Sequence, residues 1–147
     1  MAENAGFSGG SVGDQLMQDL SNLIGTNNHP RIIVPITHLY LEHIFELVLI
    51  KTWNDSDAIL SGRTGYLDKL RLLYARNIID KERFTTLKVI NSIRNEFAHS
   101  FDPNDARIEN LSEKLKGHGF TSIRPWLERY IASCIDNMSV LSTILEN

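Results

Sequence analysis

The sequence holds little cysteine and little proline, and neither sign of charge is in marked excess. A single cysteine, Cys134, among 147 residues excludes an internal disulfide and fits a reducing compartment. Because Cys134 lies in an apolar-periodic stretch, we expect it to be a small buried hydrophobic residue. A net charge of -3 gives no overall basic surface, so tight duplex binding by the monomer is disfavoured. A local basic cleft, or one assembled in a dimer, stays compatible with this charge.

Motifs that identify common cofactor and metal sites are also missing. There is no glycine-rich phosphate loop, no dinucleotide-binding fingerprint and no CxxC pair. The segment HLYLEHIFE places His38, Glu42, His43 and Glu46 three or four residues apart, where one helical face could present metal ligands. A two-metal bundle needs a second such set, and none is evident. We therefore predict no metal and no cofactor, and we expect these groups to lie at a helix–helix seam or to line a cleft.

No signal peptide or membrane span is predicted. The start MAENAGFSGG has neither a basic region nor an apolar core, and the most apolar stretch, IIVPITHLYLEHIFELVLI, carries four histidine and glutamate side chains. We expect a cytoplasmic protein without membrane association. Residues 1–13 are rich in glycine, serine and alanine and are predicted to form a flexible tail before a single domain of residues 14–147.

Apolar residues recur at steps of three and four along most of the chain, and no long run alternates at period two. This pattern predicts an all-α, single-domain helical bundle of five to six helices. The second predicted helix, residues 30–53, contains Pro35, so the helix either begins near Val34 or bends there. Beyond Pro35 it is apolar nearly all round, which is typical of a buried helix or of one shared with a partner subunit. The predicted helices cover residues 14–24, 30–53, 66–77, 80–99, 106–117 and 124–145.

The segment RNEFAHSF ends the fourth predicted helix and combines an arginine, an asparagine and a histidine. On a straight helix five residues turn by about 500°, so Arg94 and His99 point about 140° apart. The terminating residues SFDP follow at once, so His99 lies in the last turn, where the helix dipole favours a protonated imidazole. An arginine suits phosphate contact, a histidine suits proton transfer near neutrality, and Asn95 can orient either group.

These three side chains would suffice for metal-free RNA cleavage, in which the RNA's own 2′-hydroxyl attacks the adjacent phosphate. His99 would move protons and Arg94 would stabilise the developing negative charge. In the alternative interpretation, Arg94 pairs with an acidic residue such as Glu42 or Glu46, and His99 only caps helix carbonyls. Composition alone favours this alternative.

The most basic part of the chain lies on the third and fourth predicted helices, and it includes Lys69, Arg71, Arg76 and Lys88. Charges of this kind usually form a solvated face. The functional interpretation is an RNA-binding surface that contacts phosphates beside the RNEFAH segment.

RNEFAHSF resembles the signature of the HEPN superfamily, which is an arginine, a polar residue that is often asparagine, further variable positions and a histidine. An aromatic residue commonly follows two positions later, and Phe101 stands there. The resemblance implies a small all-α bundle that acts as a metal-independent ribonuclease in toxin–antitoxin or anti-phage defence, with two copies of the motif paired across a homodimer. It implies Arg94 and His99 as the catalytic pair, Asn95 as their polar partner, and a cognate antitoxin.

A longer segment, residues 61–100, is similar to the mannitol operon repressor family, which has a leucine-rich helix, a short turn and an I-R-N-x-F-A-H helix. Asn77 replaces the usual glycine of that turn, and asparagine tolerates the left-handed conformation. This resemblance implies a non-enzymatic transcriptional regulator that acts through a protein partner. The two resemblances agree on the fold and differ on the activity. The ribonuclease is our prediction, and the regulator is the alternative.

Overall fold

The computed structural model describes residues 12–26, 29–60, 62, 64–99, 105–115 and 125–146. These residues form helices and no strands, which confirms the predicted all-α bundle. Six helices have eight residues or more, and one has five. In chain order the helices are α1 (Val12–Thr26), α2 (Pro30–Thr52), α3 (Ser56–Leu60), α4 (Tyr66–Ala75), α5 (Lys81–His99), α6 (Asp105–Ser112) and α7 (Pro125–Glu146).

Helix α2 lies at the centre of the bundle and packs against α1, α4, α5 and α7. Burying one such aliphatic or aromatic side chain stabilises the fold by about 1.5–3 kcal/mol relative to leaving it exposed, so α2 contributes a large share of the core. Its fully buried apolar side chains are Val34, Leu41, Ile44, Phe45, Val48 and Leu49.

The start of α2 decides between the two alternatives that Pro35 raised. Pro30 occupies the first turn, where its missing N–H needs no partner, and His29 Nδ1 accepts a hydrogen bond from Arg31 N at 3.2 Å. The helix therefore begins before Val34 and contains Pro35 in its interior.

By length and mean hydropathy (1.5), α2 is the one helix in the described part of the chain that could cross a membrane. Half of its most apolar window is buried inside the bundle, as is common for the core helix of a soluble protein. The packing of α2 on four other helices accounts for its apolar composition.

Helix α5 carries the predicted apolar stripe on the face that meets the core. Leu87, Ile90 and Ile93 are fully buried, and Phe84 and Phe97 are partly buried against them. The N-terminus of the helix is capped by Asp80, whose Oδ1 accepts a hydrogen bond from Arg83 N at 2.8 Å. The stripe fixes the rotation of α5 and so decides which of its polar residues face α2 and α4.

The turn between α4 and α5 is a Schellman motif with Asn77 in the left-handed region, at a φ of 59°. Ile78 N donates to Leu73 O at 3.0 Å, and Asn77 N donates to Tyr74 O at 3.0 Å. Asparagine adopts this conformation more readily than most residues, so its presence in place of glycine is compatible with the turn.

Helix α7 closes the core with Tyr130, Cys134, Met138 and Leu141, all of them inaccessible to solvent. The Tyr130 hydroxyl donates to Val34 O at 3.1 Å and links α7 to α2. Cys134 is the buried hydrophobic residue that its context predicts, and burial raises the pKa of its thiol. It therefore packs as a small hydrophobic group and not as a reactive thiolate.

Two predicted boundaries are wrong at the ends of the helices. Helix α1 begins at Val12 and includes Gly13, which was expected to belong to the tail. Gly13 is buried against α7, where an added Cβ would clash with Ser142 Oγ, so only glycine fits this approach. Helix α6 ends at Ser112, earlier than expected. The rest of the predicted tail and the SFDP terminators lie outside the described residues.

Candidate functional site around Arg94

Helix α5 continues without a break to His99, and this continuity sets the geometry of the candidate site. His99 is exposed and lies in the last turn, as predicted, whereas Arg94 is half-buried. At 100° per residue the two side chains leave the helix about 140° apart. One subunit therefore presents Arg94 and His99 on different sides of the same helix.

Arg94 lies at a cavity of about 360 Å³. The cavity is bounded by α2, by α5 and by the first turn of α4 together with Gly65 before it. The polar and aromatic side chains that line it are His38, Glu42, Tyr66, Asp68, Asn91 and Arg94.

His38 is held inside the bundle by two neighbours. Its Nε2 is 3.2 Å from Asn91 Oδ1, and its ring stacks on Tyr66 with the ring centroids 4.2 Å apart. An amide oxygen only accepts, so His38 Nε2 carries the hydrogen and Nδ1 carries the lone pair. Burial, and then the charge of Arg94, lower the pKa of His38 to about 4, so its imidazole is neutral at pH 7.

Glu42 and Glu46 both pair with Lys69. Lys69 Nζ lies 2.6 Å from Glu42 Oε2 and 2.5 Å from Glu46 Oε1, and only 4% of Lys69 is exposed. Burial opposes the charged form of Lys69, but the hydrogen bonds that its ammonium donates to the two carboxylates outweigh burial and raise the pKa of Lys69. The expectation that Lys69 contacts RNA is therefore corrected, because its charge is buried and neutralised within the subunit.

The ion pairs of Glu42 and Glu46 with Lys69 also bear on which partner Arg94 has within one subunit. The expected alternative, a pair between Arg94 and Glu42 or Glu46, is absent, since both carboxylates bind Lys69. Among the described residues no carboxylate lies within ion-pairing distance of the Arg94 guanidinium. The guanidinium donates a hydrogen bond from Nη1 to Asn95 Oδ1 at 3.4 Å. Within the described part of the chain, no carboxylate thus neutralises the charge that Arg94 presents at the cavity.

The other three basic residues expected to bind RNA are exposed, in different surroundings. Arg71 pairs with Asp68 at 3.5 Å on the same helix. Arg76 donates to Thr52 O at 3.1 Å and lies 4.6 Å above the Trp53 ring, so it joins the C-terminal ends of α4 and α2. Lys88 lies 5.6 Å above the ring of Phe84, which is about one turn earlier on α5.

The HLYLEHIFE segment lies where a seam or a cleft was expected. His38 and Glu42 line the cavity, and Glu46 joins the seam with α4. His43 faces a second cavity of about 350 Å³ on the side of α1. Within the described ranges no three His, Cys, Asp or Glu side chains are placed to hold a metal ion.

Two residues at the cavity, Asn91 and Tyr66, were not singled out from the sequence. Asn91 precedes Arg94 by three residues, so the two share a face of α5. That spacing was a usable signal. The stacking of Tyr66 on His38 depends on how α4 packs against α2 and has no local signal.

No family model, no curated protein and no solved structure matches this chain. The resemblances to the HEPN superfamily and to the mannitol operon repressor family therefore stay predictions that rest on the quoted residues.

Proposed function

We propose that the protein is a metal-independent endoribonuclease of the HEPN type, which acts as a cytoplasmic homodimer in toxin–antitoxin or anti-phage defence. The observation that carries this proposal is the state of Arg94. Its guanidinium is half-buried at a cavity, is not neutralised by a described carboxylate and is contacted by Asn95. An arginine of this kind suits bidentate contact with a phosphate.

The chemistry needs no metal. The 2′-hydroxyl of the RNA attacks the adjacent phosphorus, the new bond joins the 2′-oxygen to phosphorus, and the bond to the 5′-oxygen breaks. The 2′-hydroxyl gives up a proton and the 5′-oxygen gains one, so the products are a cyclic phosphate and a 5′-hydroxyl. His99 transfers these protons, and Arg94 stabilises the charge that develops on the phosphate oxygens.

The geometry of α5 supports the proposal of a dimer. Because Arg94 and His99 leave the helix about 140° apart, one phosphate cannot reach both side chains of one subunit. A second copy that places its His99 opposite Arg94 completes the site. Each dimer would then contain two composite sites, each with Arg94 of one subunit and His99 of the other.

RNA cleavage by the purified protein in EDTA tests the proposal. Arg94→Ala and His99→Ala should each slow cleavage by at least about 100-fold, because each removes a transition-state contact or a proton-transfer group. Arg31→Ala and His43→Ala, which change exposed residues of the same types on α2, are the matched controls and should cleave normally. Equal and negligible cleavage by the wild type and all variants over a broad set of RNAs would end the proposal.

Mixing the two inactive variants tests the composite site. Random exchange of Arg94→Ala and His99→Ala subunits gives mixed dimers with one intact site, so about one quarter of the wild-type activity should return, by simple counting of isologous dimers. Sites built within single subunits would recover nothing, because each subunit of a mixed dimer lacks one of the two groups.

The regulator that acts through a protein partner is a second candidate, and one surface feature favours it. Ile32, Leu39 and Ile50 are 42%, 65% and 51% exposed, and their spacings of seven and eleven residues place them on one face of α2. An exposed apolar stripe of this kind is suited to a protein interface. Sequence-specific retardation of operator DNA, with no RNA cleavage, would support this candidate over the ribonuclease.

A further inference from the structure

Two side chains that line the cavity beside Arg94 have hydrogen-bonding atoms that no described group uses. These atoms are His38 Nδ1 and Asn91 Nδ2, since the bond between the two residues joins His38 Nε2 to Asn91 Oδ1.

The bond between His38 and Asn91 fixes what these atoms offer. With His38 Nε2–H donating to Asn91 Oδ1, the two free atoms are one acceptor, Nδ1, and one donor, Nδ2. Two carboxylates add further acceptors, since Lys69 engages one oxygen of Glu42, and Arg71 contacts one oxygen of Asp68. The cavity is thus lined by one free donor, one free acceptor, two carboxylates and one arginine.

We propose that this cavity is a subsite for a nucleobase, and that it takes the base of the nucleotide whose phosphate Arg94 contacts. The inference rests on the proposed ribonuclease function and adds the recognition of the base. Nucleobases present hydrogen-bond donors and acceptors on their edges, and the side chains that line the cavity offer groups of both kinds. A volume of about 360 Å³ is at the small end for ligand sites and suits a single nucleotide.

The carboxylates give the subsite a preference. Glu42 and Asp68 accept hydrogen bonds from the exocyclic amino group of cytosine, whereas uracil has a carbonyl oxygen at that position, which a carboxylate repels. Cytosine and uracil have nearly the same shape, so they form a matched pair of probes. We expect cytidine 3′-monophosphate to bind about tenfold more tightly than uridine 3′-monophosphate, and both to bind more tightly than inorganic phosphate.

A cavity-filling substitution at Gly65 tests the location. Gly65 lines the cavity, its backbone is extended, and an added Cβ would meet no atom within 4 Å, so the first atom of a larger side chain meets no steric obstacle. Gly65→Phe should weaken binding of cytidine 3′-monophosphate by at least about tenfold. Gly25→Phe is the matched control, because Gly25 also meets no atom within 4 Å, lies on α1 and does not line the cavity.

Calorimetric titration of the full chain with the three probes, beside RNA cleavage in EDTA, separates the two proposals. Preferential binding of the cytidine nucleotide that Gly65→Phe removes supports the subsite, even if no RNA is cleaved and the ribonuclease proposal fails. The subsite is overturned if the three probes bind equally, or if Gly65→Phe binds the cytidine nucleotide as the wild type does. If RNA is cleaved normally although Gly65→Phe binds the cytidine nucleotide as the wild type does, the subsite proposal fails and the ribonuclease proposal is unaffected.

Discussion

The buried histidine on α2 makes the protein sensitive to mild acid, and this is the most direct quantitative consequence of the structure. His38 is 4% exposed and has a pKa of about 4, against 6.5 for an exposed histidine. Desolvation is the main cause, and the positive charge of Arg94 adds to it. Hydrogen bonding to Asn91 and the negative charge of Glu42 act in the opposite direction and are outweighed.

The sign of the effect follows from proton binding. Below pH 6.5 the unfolded chain takes up a proton at His38, which the folded protein does not bind until about pH 4. Acid therefore favours the unfolded state, and the free energy of unfolding falls as the pH falls through this window. With about 1.4 kcal/mol for each tenfold difference in proton affinity, the loss between pH 7 and pH 4.5 is about 2.5 kcal/mol. A loss of this size is a substantial part of the 5–15 kcal/mol typical of a domain.

Urea unfolding at pH 7 and pH 4.5 measures this loss, with His38→Gln as the perturbation. Glutamine does not titrate, and its amide can still donate to Asn91 Oδ1, so the variant should lose about 2.5 kcal/mol less than the wild type between the two pH values. His43→Gln, at an exposed position of the same helix, should behave as the wild type. Identical losses in His38→Gln and the wild type, or an imidazole of His38 that titrates near 6.5 by NMR, would refute the reasoning.

Two further predictions concern stability. Lys69→Met leaves Glu42 and Glu46 facing each other without a cation, so it should lower the free energy of unfolding by about 3 kcal/mol in urea denaturation at pH 7. Changing both glutamates to glutamine as well should recover part of this loss. A loss below about 0.5 kcal/mol would contradict the pairing. Asn77→Gly should be neutral or slightly stabilising, whereas Asn77→Ala should lower the free energy of unfolding by about 1 kcal/mol, because alanine is strained at a positive φ. Equal thermal midpoints for the two variants would show that the turn has another conformation.

The helices were predictable because their signals are local. Periodic apolar residues on α5 predict the buried stripe of Leu87, Ile90 and Ile93, and Asp80 marks its start by a capping hydrogen bond within three residues. The start of α1 was missed for the opposite reason. Gly13 lies within a segment rich in glycine and serine, and its helical conformation depends on close packing against Ser142, which is far away in the sequence.

Only part of the candidate site was predictable, because contacts between residues that are far apart in the sequence leave no local signal. Arg94, Asn95 and His99 form a contiguous motif, so the sequence reveals them. The partners of His38 and Lys69 come from other helices. His38 meets Asn91, 53 residues further along the chain, and Lys69 meets Glu42, 27 residues earlier. A lysine on a charged helix is indistinguishable from a solvated one until the packing of α4 on α2 is known.

In the proposed dimer the two subunits of each site would have different tasks. The cavity borders Arg94, and His99 points away from it, so the base and the phosphate would be held by one subunit while the other supplies the proton-transfer group. Mixed dimers of Arg94→Ala and His99→Ala subunits separate these tasks, since Arg94 and the cavity of the working site both belong to the His99→Ala subunit. Adding Gly65→Phe to that subunit should abolish the preference for cytosine over uracil in the restored cleavage. Adding the same change to the Arg94→Ala subunit should leave the preference intact. If Gly65→Phe changes the preference for cytosine equally in either subunit, the cavity and Arg94 do not act together in one site.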